Sequence, residues 1–198
     1  SMISHDLRTP LSTILGFAEL LYNNQDYFDT VEQREILEHI IKNANELSRY
    51  TQIALDIMFL ESDVQRFDME TVYLGRFLDH WLTDALHRFP ANKLEYSNGV
   101  AQDNMAVVAP SALHKILHSL VEFAVAESPP ELPVRINLSY DEDHAHIVVQ
   151  LNAPELSPDE AAAIFRRMLP REFSEIGRPQ LHRMQLYVAS LLAERQRG

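Results

Sequence analysis

One segment of about 30 residues, from Val31 to about Leu60, contains neither glycine nor proline. Apolar side chains recur in it at alternating steps of three and four, the spacing of one face of an α-helix. The residues of this seam are Leu37, Ile40, Ala44, Leu47, Thr51, Ala54 and Met58. Isoleucines beside the seam widen the apolar face, and they are Ile36, Ile41, Ile53 and Ile57. The segment therefore predicts one long helix whose apolar face is too wide for a single partner helix.

A shorter amphipathic segment precedes the long one. Its seam has the same spacing and consists of Leu7, Leu11, Ile14, Ala18 and Leu21. The polar stretch from Asn23 to Thr30 separates the two segments, so we expect an antiparallel pair of helices. Because two helices alone cannot bury so much apolar surface, we expect two hairpins to join in a four-helix bundle, which predicts a homodimer. The alternative is a monomer in which the rest of the chain covers the hairpin.

The pattern changes after about Phe67. Successive segments are typical of a helix, two short strands, a helix, a hairpin and two helices: METVYLGRFLDHWLTDAL, NKLEYS, NMAVVA, SALHKILHSLVEFAVAES, PVRINLSYDEDHAHIVVQLN, SPDEAAAIFRRML and QLHRMQLYVASLLAERQ. This order predicts an α+β sandwich with a mostly antiparallel sheet covered on one face by helices. We place an all-α helical hairpin in residues 1–64 and the α+β sandwich in residues 65–198.

Composition excludes several classes of function. The formal net charge is -12, which disfavours binding to nucleic acid and to anionic membranes. The chain has no cysteine, so disulfides and thiolate metal sites are absent. No apolar run approaches the roughly 18 residues of a membrane span, and we see no signal peptide, so we expect a cytoplasmic segment without membrane contact. His114, His118 and Glu122 share a helix face, but without a further ligand an ordinary solvated face is favoured over a metal site.

The stretch SHDLRTPL, from Ser4 to Leu11, is the strongest candidate for chemistry. On a helix His5 and Thr9 share one face, and that face points away from the apolar seam. Asp6 can orient the imidazole or accept its proton while the other ring nitrogen acts as a nucleophile. Pro10 removes one helical hydrogen bond beside these residues and favours a bend there. The alternative is an exposed histidine without a role.

The string SHDLRTPL followed by GFAELL resembles the phosphoacceptor box of sensor histidine kinases. The resemblance covers about residues 2–60, the dimerisation and histidine-phosphotransfer domain. It implies that His5 is phosphorylated on a ring nitrogen and that Asp6 assists the transfer. It also implies that Thr9 positions the water that hydrolyses the phosphoaspartate of a response regulator.

Residues 67–198 resemble the ATP-binding domain of the same family in hydrophobic pattern and order of elements. In that register Ser119 and Phe123 replace the two asparagines of the nucleotide site. Leu151 replaces the aspartate that recognises adenine, and Ala153 and Glu155 replace two glycines.

These replacements remove the chemistry of a nucleotide site. Phenylalanine offers no oxygen ligand to Mg²⁺, and a phosphate-binding loop needs small residues whose backbone N–H groups can approach the anion. The last glycine of the family pattern, at the start of the final helix, is replaced by Gln185. We therefore expect little or no ATP binding, and we expect no cofactor and no metal.

The function predicted from these patterns is two-component signal transduction. The chain would be a dimeric phosphorelay protein, a histidine phosphotransferase of the histidine kinase family, whose His5 exchanges a phosphoryl group with an aspartate of a response-regulator receiver domain. Three alternatives stay open. They are an ATP-dependent histidine autokinase with a diverged nucleotide site that would use ATP and Mg²⁺, a response-regulator phosphatase that uses Thr9, and a non-catalytic dimeric regulatory module.

Overall fold

The computed structural model describes residues 3–24, 27–62, 67–89, 94–99, 104–141, 144–153, 157–166 and 180–196. The chain divides into two compact units, and each is described by itself. The described part of the first unit is mainly a pair of helices that ends at residue 62, and the second unit contains the strands. The boundary predicted between residues 64 and 65 lies outside the described residues. None of the described helices is both long and apolar enough to cross a membrane.

The first unit contains helices α1 (Ile3–Asn23) and α2 (Thr30–Glu61). The predicted start of α2 is confirmed, and a capping box defines it. The Asp29 carboxylate accepts the backbone N–H groups of Val31 and Glu32 at 2.8 and 2.9 Å, and the Glu32 carboxylate accepts the N–H of Asp29 at 3.0 Å. The two helices pack against each other, and the ring of Phe17 on α1 stacks on His39 of α2 with 5.0 Å between centroids.

The long apolar seam of α2 divides into two sets in the structure. Every second member is partly buried, and these residues are Ile40, Leu47 and Ala54. The alternating members are exposed, and these are Leu37, Ala44, Thr51 and Met58. The members of each set are seven residues apart, which is close to two full helical turns, so each set forms its own row along the helix. Within one chain only one of these two rows is covered.

The second unit contains eight whole elements and, from His182 onward, a ninth, the helix α6. They are β1 (Glu70–Tyr73), α3 (Leu74–Arg88), β2 (Leu94–Asn98), β3 (Met105–Val108), α4 (Pro110–Glu127), β4 (Val134–Tyr140), β5 (Ala145–Gln150), α5 (Pro158–Ile164) and α6 (Gln180–Arg195). The expectation of one helix throughout METVYLGRFLDHWLTDAL is wrong at its start, where four residues form β1. These four residues pair with β3, and this tertiary partner overrides the local helical pattern.

The described strands form two sheets. β1 pairs with β3 in antiparallel fashion, and the other sheet has the order β2-β4-β5. The predicted hairpin of β4 and β5 is confirmed, with Tyr140 opposite Ala145 at its turn. The expected mostly antiparallel sheet is wrong in one pairing, because β2 runs parallel to β4. The chain between them crosses over through β3 and α4, which returns β4 in the direction of β2.

The core of the second unit lies between β4 and the helices α3 and α4. Val134, Ile136 and Leu138 point inward from β4 with 0 to 1% of their surface exposed, while Arg135 between them faces solvent. The remaining buried members of this core are Leu74, Leu78, Trp81, Ala85, Leu94, Leu113, Leu117, Val121 and Ala124. The alternation along β4 therefore places one face of the sheet against helices, as the sequence predicts.

Candidate functional site

The first candidate site lies near the start of α1. His5 and Asp6 are part of this helix, and their side chains lie outside what the structure describes. Thr9 is exposed, as the sequence predicts, and its carbonyl oxygen accepts a hydrogen bond from Thr13 Oγ1 at 3.0 Å. Pro10 is buried, and α1 continues through it as one helix. The backbone around the motif is therefore helical, and the assigned roles of His5, Asp6 and Thr9 stay predictions.

Helical geometry extends the face on which His5 lies. Steps of four, three and four residues lead from His5 to Thr9, Ser12 and Gly16, so the four positions share one side of α1. The latter three are exposed, and a Cβ atom added to Gly16 would meet no atom within 4 Å. A row of small, exposed residues thus continues along the helix from the position of the histidine.

The second candidate site is the region that resembles a nucleotide site, and α4 carries its first two positions. Ser119 is buried, with 8% of its surface exposed, and Phe123 lies one turn later, half-buried. Neither side chain carries the amide that the resemblance expects there. An aromatic ring at the second position offers no hard oxygen ligand, so Mg²⁺ has no ligand from this residue.

The segment after β5 carries the next positions. Leu151 packs against the hydrophobic core, and Ala153 is exposed. Between them, Asn152 donates its backbone N–H to Ser128 Oγ at 3.1 Å and its side-chain N–H to the Pro133 carbonyl at 2.7 Å. These bonds join the segment to the connection between α4 and β4. Leu151 therefore packs with apolar neighbours at the position where the resemblance expects a base-recognising carboxylate, and the predicted position Glu155 lies outside the described residues.

The third part of this region is α6. The predicted last helix, QLHRMQLYVASLLAERQ, is confirmed, because α6 begins at Gln180, and Gln185 lies in its second turn. No glycine or proline interrupts the sequence from Gln180 to Gln185, so the helix extends through both. Gln185 Nε2 donates a hydrogen bond of 2.9 Å to Glu122 Oε2 on α4. The Glu122 side chain is 16% exposed, and His118 Nε2 lies 3.6 Å from the same oxygen.

The structure thus brings together α4, the end of β5 and α6, the three segments that the resemblance assigns to a nucleotide site. Sequence reasoning missed the bonds that join them. Glu122 and Gln185 are 63 residues apart, and a histidine and an acid four residues apart are also typical of an ordinary polar helix face. Within the described part of the chain, no group of three or more histidine or acidic residues is arranged to hold a metal ion.

Comparison with known proteins supports the reading of the first motif. The model of the His Kinase A (phospho-acceptor) domain matches residues 1–62. Sensor histidine kinase YcbM of Bacillus subtilis (strain 168) is 26% identical over 99% of this chain and 63% of its own length. Sensor histidine kinase MtrB of Mycobacterium tuberculosis (strain ATCC 25618 / H37Rv) is 26% identical over 90% of this chain. The chain spans under two thirds of YcbM and 31% of MtrB.

Solved structures share the fold at low sequence identity. Histidine kinase AdeS of Acinetobacter baumannii superposes with a TM-score of 0.71 and 14% identity, covering 96% of this chain and 86% of the other. Histidine kinase ThkA, solved in complex with response regulator protein TrrA, superposes with a TM-score of 0.66 and 18% identity, covering 82% and 47%. The predicted fold, a helical hairpin followed by a unit like the catalytic domain of histidine kinases, is confirmed. Residues 1–62 form a His Kinase A (phospho-acceptor) domain, and sensor histidine kinases are homologues of this chain along most of its length.

Proposed function

We propose that this chain acts as a homodimeric phosphorelay protein in which His5 exchanges a phosphoryl group with a response-regulator aspartate, and that it binds little or no ATP. The contrast between its two candidate sites carries the proposal. The phosphoacceptor motif is intact on α1, whereas the nucleotide positions hold Ser119, Phe123 and Leu151. Phosphoryl transfer from ATP depends on positioning of the nucleotide and its metal, and those side chains do not supply it.

The exchange itself needs no nucleotide. One ring nitrogen of His5 attacks the phosphorus of the receiver's phosphoaspartate, and a P–N bond forms while the P–O bond to the carboxylate breaks. The aspartate carboxylate leaves with the electron pair. The proton on the other ring nitrogen passes to Asp6. The reverse sequence returns the phosphoryl group to a receiver.

The uncovered row on α2 supports the proposed homodimer. Leu37, Ala44, Thr51 and Met58 form this row, and Leu37 and Met58 are 46% and 65% exposed. Ile41 and Leu55 lie beside it on α2 and are exposed, and Leu11 and Leu15 on α1 are exposed as well. Two hairpins that turn these rows toward each other bury them in a four-helix bundle. Because a C2 contact uses the same surface on both copies, one apolar row on each chain suffices.

Names of the relatives favour a second candidate, an ATP-dependent autokinase, because YcbM and MtrB are sensor histidine kinases and match 99% and 90% of this chain. Two observations stand against it: Leu151 packs against the hydrophobic core, and position 123 holds a phenylalanine. An autokinase would have to bind adenine and Mg²⁺ through other side chains.

Radioactive labelling separates the two candidates. The protein is incubated with Mg²⁺ and γ-labelled ATP, and separately with purified receiver domains labelled by acetyl phosphate. We expect acid-labile, base-stable label from a receiver and none from ATP, and we expect His5→Gln to abolish it. Label from ATP would establish the autokinase. Absence of label from ATP and from a panel of receivers would contradict the phosphorelay and favour a non-catalytic module.

A matched variant tests the phosphatase alternative. Thr9→Ala leaves His5 in place and removes the hydroxyl that would position water. We expect Thr9→Ala to accept label from the receiver at a rate within about threefold of the parent protein. A phosphatase would give the opposite pattern, in which Thr9→Ala stops dephosphorylation of the receiver and His5→Gln does not.

A further inference from the structure

The contact between α4 and α6 depends on side chains of this chain alone. We propose that the hydrogen bond between Gln185 and Glu122 is a clasp that holds α6 on α4 in the absence of any nucleotide. The inference rests on the proposed function only in taking the second unit to work without ATP. The clasp itself is defined by the two side chains and by the 2.9 Å between Gln185 Nε2 and Glu122 Oε2.

Burial increases the contribution of this hydrogen bond to stability. The Glu122 side chain is 16% exposed, and Gln185 is half-buried. A hydrogen bond to a carboxylate is stronger than one between neutral groups, and a carboxylate removed from water loses more when its donor is removed. His118 on the same helix lies 3.6 Å from the accepting oxygen, so the carboxylate is held between its own helix and α6.

A second glutamine, one residue past the end of α6, reaches the other end of α4. Gln196 Oε1 accepts the backbone N–H of Ala109, the residue that caps α4, at 2.8 Å. The two glutamines are eleven residues apart in the chain, and their partners on α4 are thirteen apart in the opposite order. α6 therefore runs antiparallel to α4 and is tied to it near both ends, by the clasp at one end and by Gln196 at the other.

Between these two bonds α6 carries buried apolar residues, which are Leu186, Val188, Ala189 and Leu192. Apolar side chains hold two helices together but specify their relative position along the helix axis less strictly, because the ridges of one helix can fit into neighbouring grooves of the other. A hydrogen bond at each end fixes the position of α6 along α4. In the family pattern a glycine stands at position 185, and a glycine has no side chain with which to make this bond.

Exchange of the two partners provides the test. Gln185→Glu places two carboxylates against each other, and adding Glu122→Gln restores one donor and one acceptor with their positions exchanged. Unfolding of the second unit is followed by the fluorescence of Trp81, the only tryptophan of the chain. Exchange of the α6 amides is followed by mass spectrometry. We expect Gln185→Glu to lower Tm by about 5 °C and to speed exchange of α6 about tenfold, and the double variant to recover most of both.

Controls keep the outcome unambiguous. Glu194→Gln makes the same chemical change as Glu122→Gln at an exposed position of α6, and we expect no shift in Tm. Unchanged exchange in Gln185→Glu, or failure of the double variant to recover, would overturn the clasp and leave the phosphorelay proposal intact. A rise in Tm of the parent protein with Mg-ATP, together with recovery in the double variant, would overturn the ATP-free part of the proposed function and leave the clasp.

Discussion

The two units of this chain differ in how far they bury their apolar side chains. In the second unit Leu117 and Ile136 each expose 1% of their surface, and the sheet and helices bury them within one chain. In the hairpin Leu15 and Ile41 expose 53% and 57%. A soluble protein rarely leaves a long apolar row in water unless another molecule covers it. The second unit has a buried core within one copy, whereas the exposed residues of the hairpin support the proposal that it is half of an assembly.

The largest effect is expected from a charge beside the exposed row of α2. Ile41→Asp places a carboxylate on a surface that two copies would bury, and a C2 dimer contains it twice. We expect dimerisation to weaken at least about a hundredfold, as measured by sedimentation equilibrium. Lys42→Asp introduces the same side chain at an exposed neighbouring position on another face of the helix, and we expect the dimer to persist. An unchanged dimer in Ile41→Asp would contradict the proposal that this surface of the hairpin is buried between two copies.

A cavity in the second unit should have the next largest effect. Leu117→Ala removes a side chain that is 1% exposed in the middle of the core, and such truncations cost about 3 kcal/mol. Chemical denaturation followed by Trp81 fluorescence measures this loss. Leu86→Ala makes the same truncation where the side chain is 40% exposed, and we expect a loss below about 1 kcal/mol. Equal losses in the two variants would mean that burial in this unit does not set its stability.

The smallest effect is expected at high pH. Burial, reinforced by the Asp79 carboxylate, raises the pKa of Tyr96 from 10.0 to about 12. Because the folded state favours the neutral phenol, this stabilisation is present below pH 10 and is lost as the pH rises toward 12. We expect Tm of the parent protein to fall more steeply than that of Tyr96→Phe over this range, by about 1–2 °C. Tyr22→Phe changes a side chain that is 87% exposed, and it should follow the parent curve. A parent curve no steeper than that of Tyr96→Phe would contradict the raised pKa.

Local patterns in the sequence predict much of the fold. The start of α2 follows from Asp29 and Glu32, which are close in the chain and form the capping box that the structure contains. The β4–β5 hairpin follows from alternating residues around a polar turn. These features depend on neighbours within a few residues, so the amino-acid sequence carries their cause directly.

Features with distant causes could not be predicted in this way. β1 exists because β3 pairs with it from more than thirty residues away, and the parallel pairing of β2 with β4 depends on the path of the chain between them. The division of the α2 seam into a covered and an uncovered row needs the position of α1. The bond between Glu122 and Gln185 could not be predicted either, because the two residues are distant in the sequence and neither has a distinctive local pattern.

The two candidate sites also differ in whether their residues are close together or distant in the sequence. The phosphoacceptor motif is contiguous, so its residue types and helical spacing suffice to predict which positions share a face with His5. The region resembling a nucleotide site is assembled from α4, the end of β5 and α6. For that region the sequence predicts which chemical groups are missing, at Ser119, Phe123 and Leu151, but not that Asn152 and Gln185 join its parts.

The hydrogen bond from Ala109 to Gln196 has a consequence for the order of events during synthesis. The two residues are 87 positions apart, so the first turn of α4 obtains this partner only after residue 196 has left the ribosome. The contacts of α1 with α2 need no residue beyond 62. Since contacts close in sequence form earlier than distant ones, we expect the hairpin to fold, and to become available to a second nascent chain, before the other unit is complete.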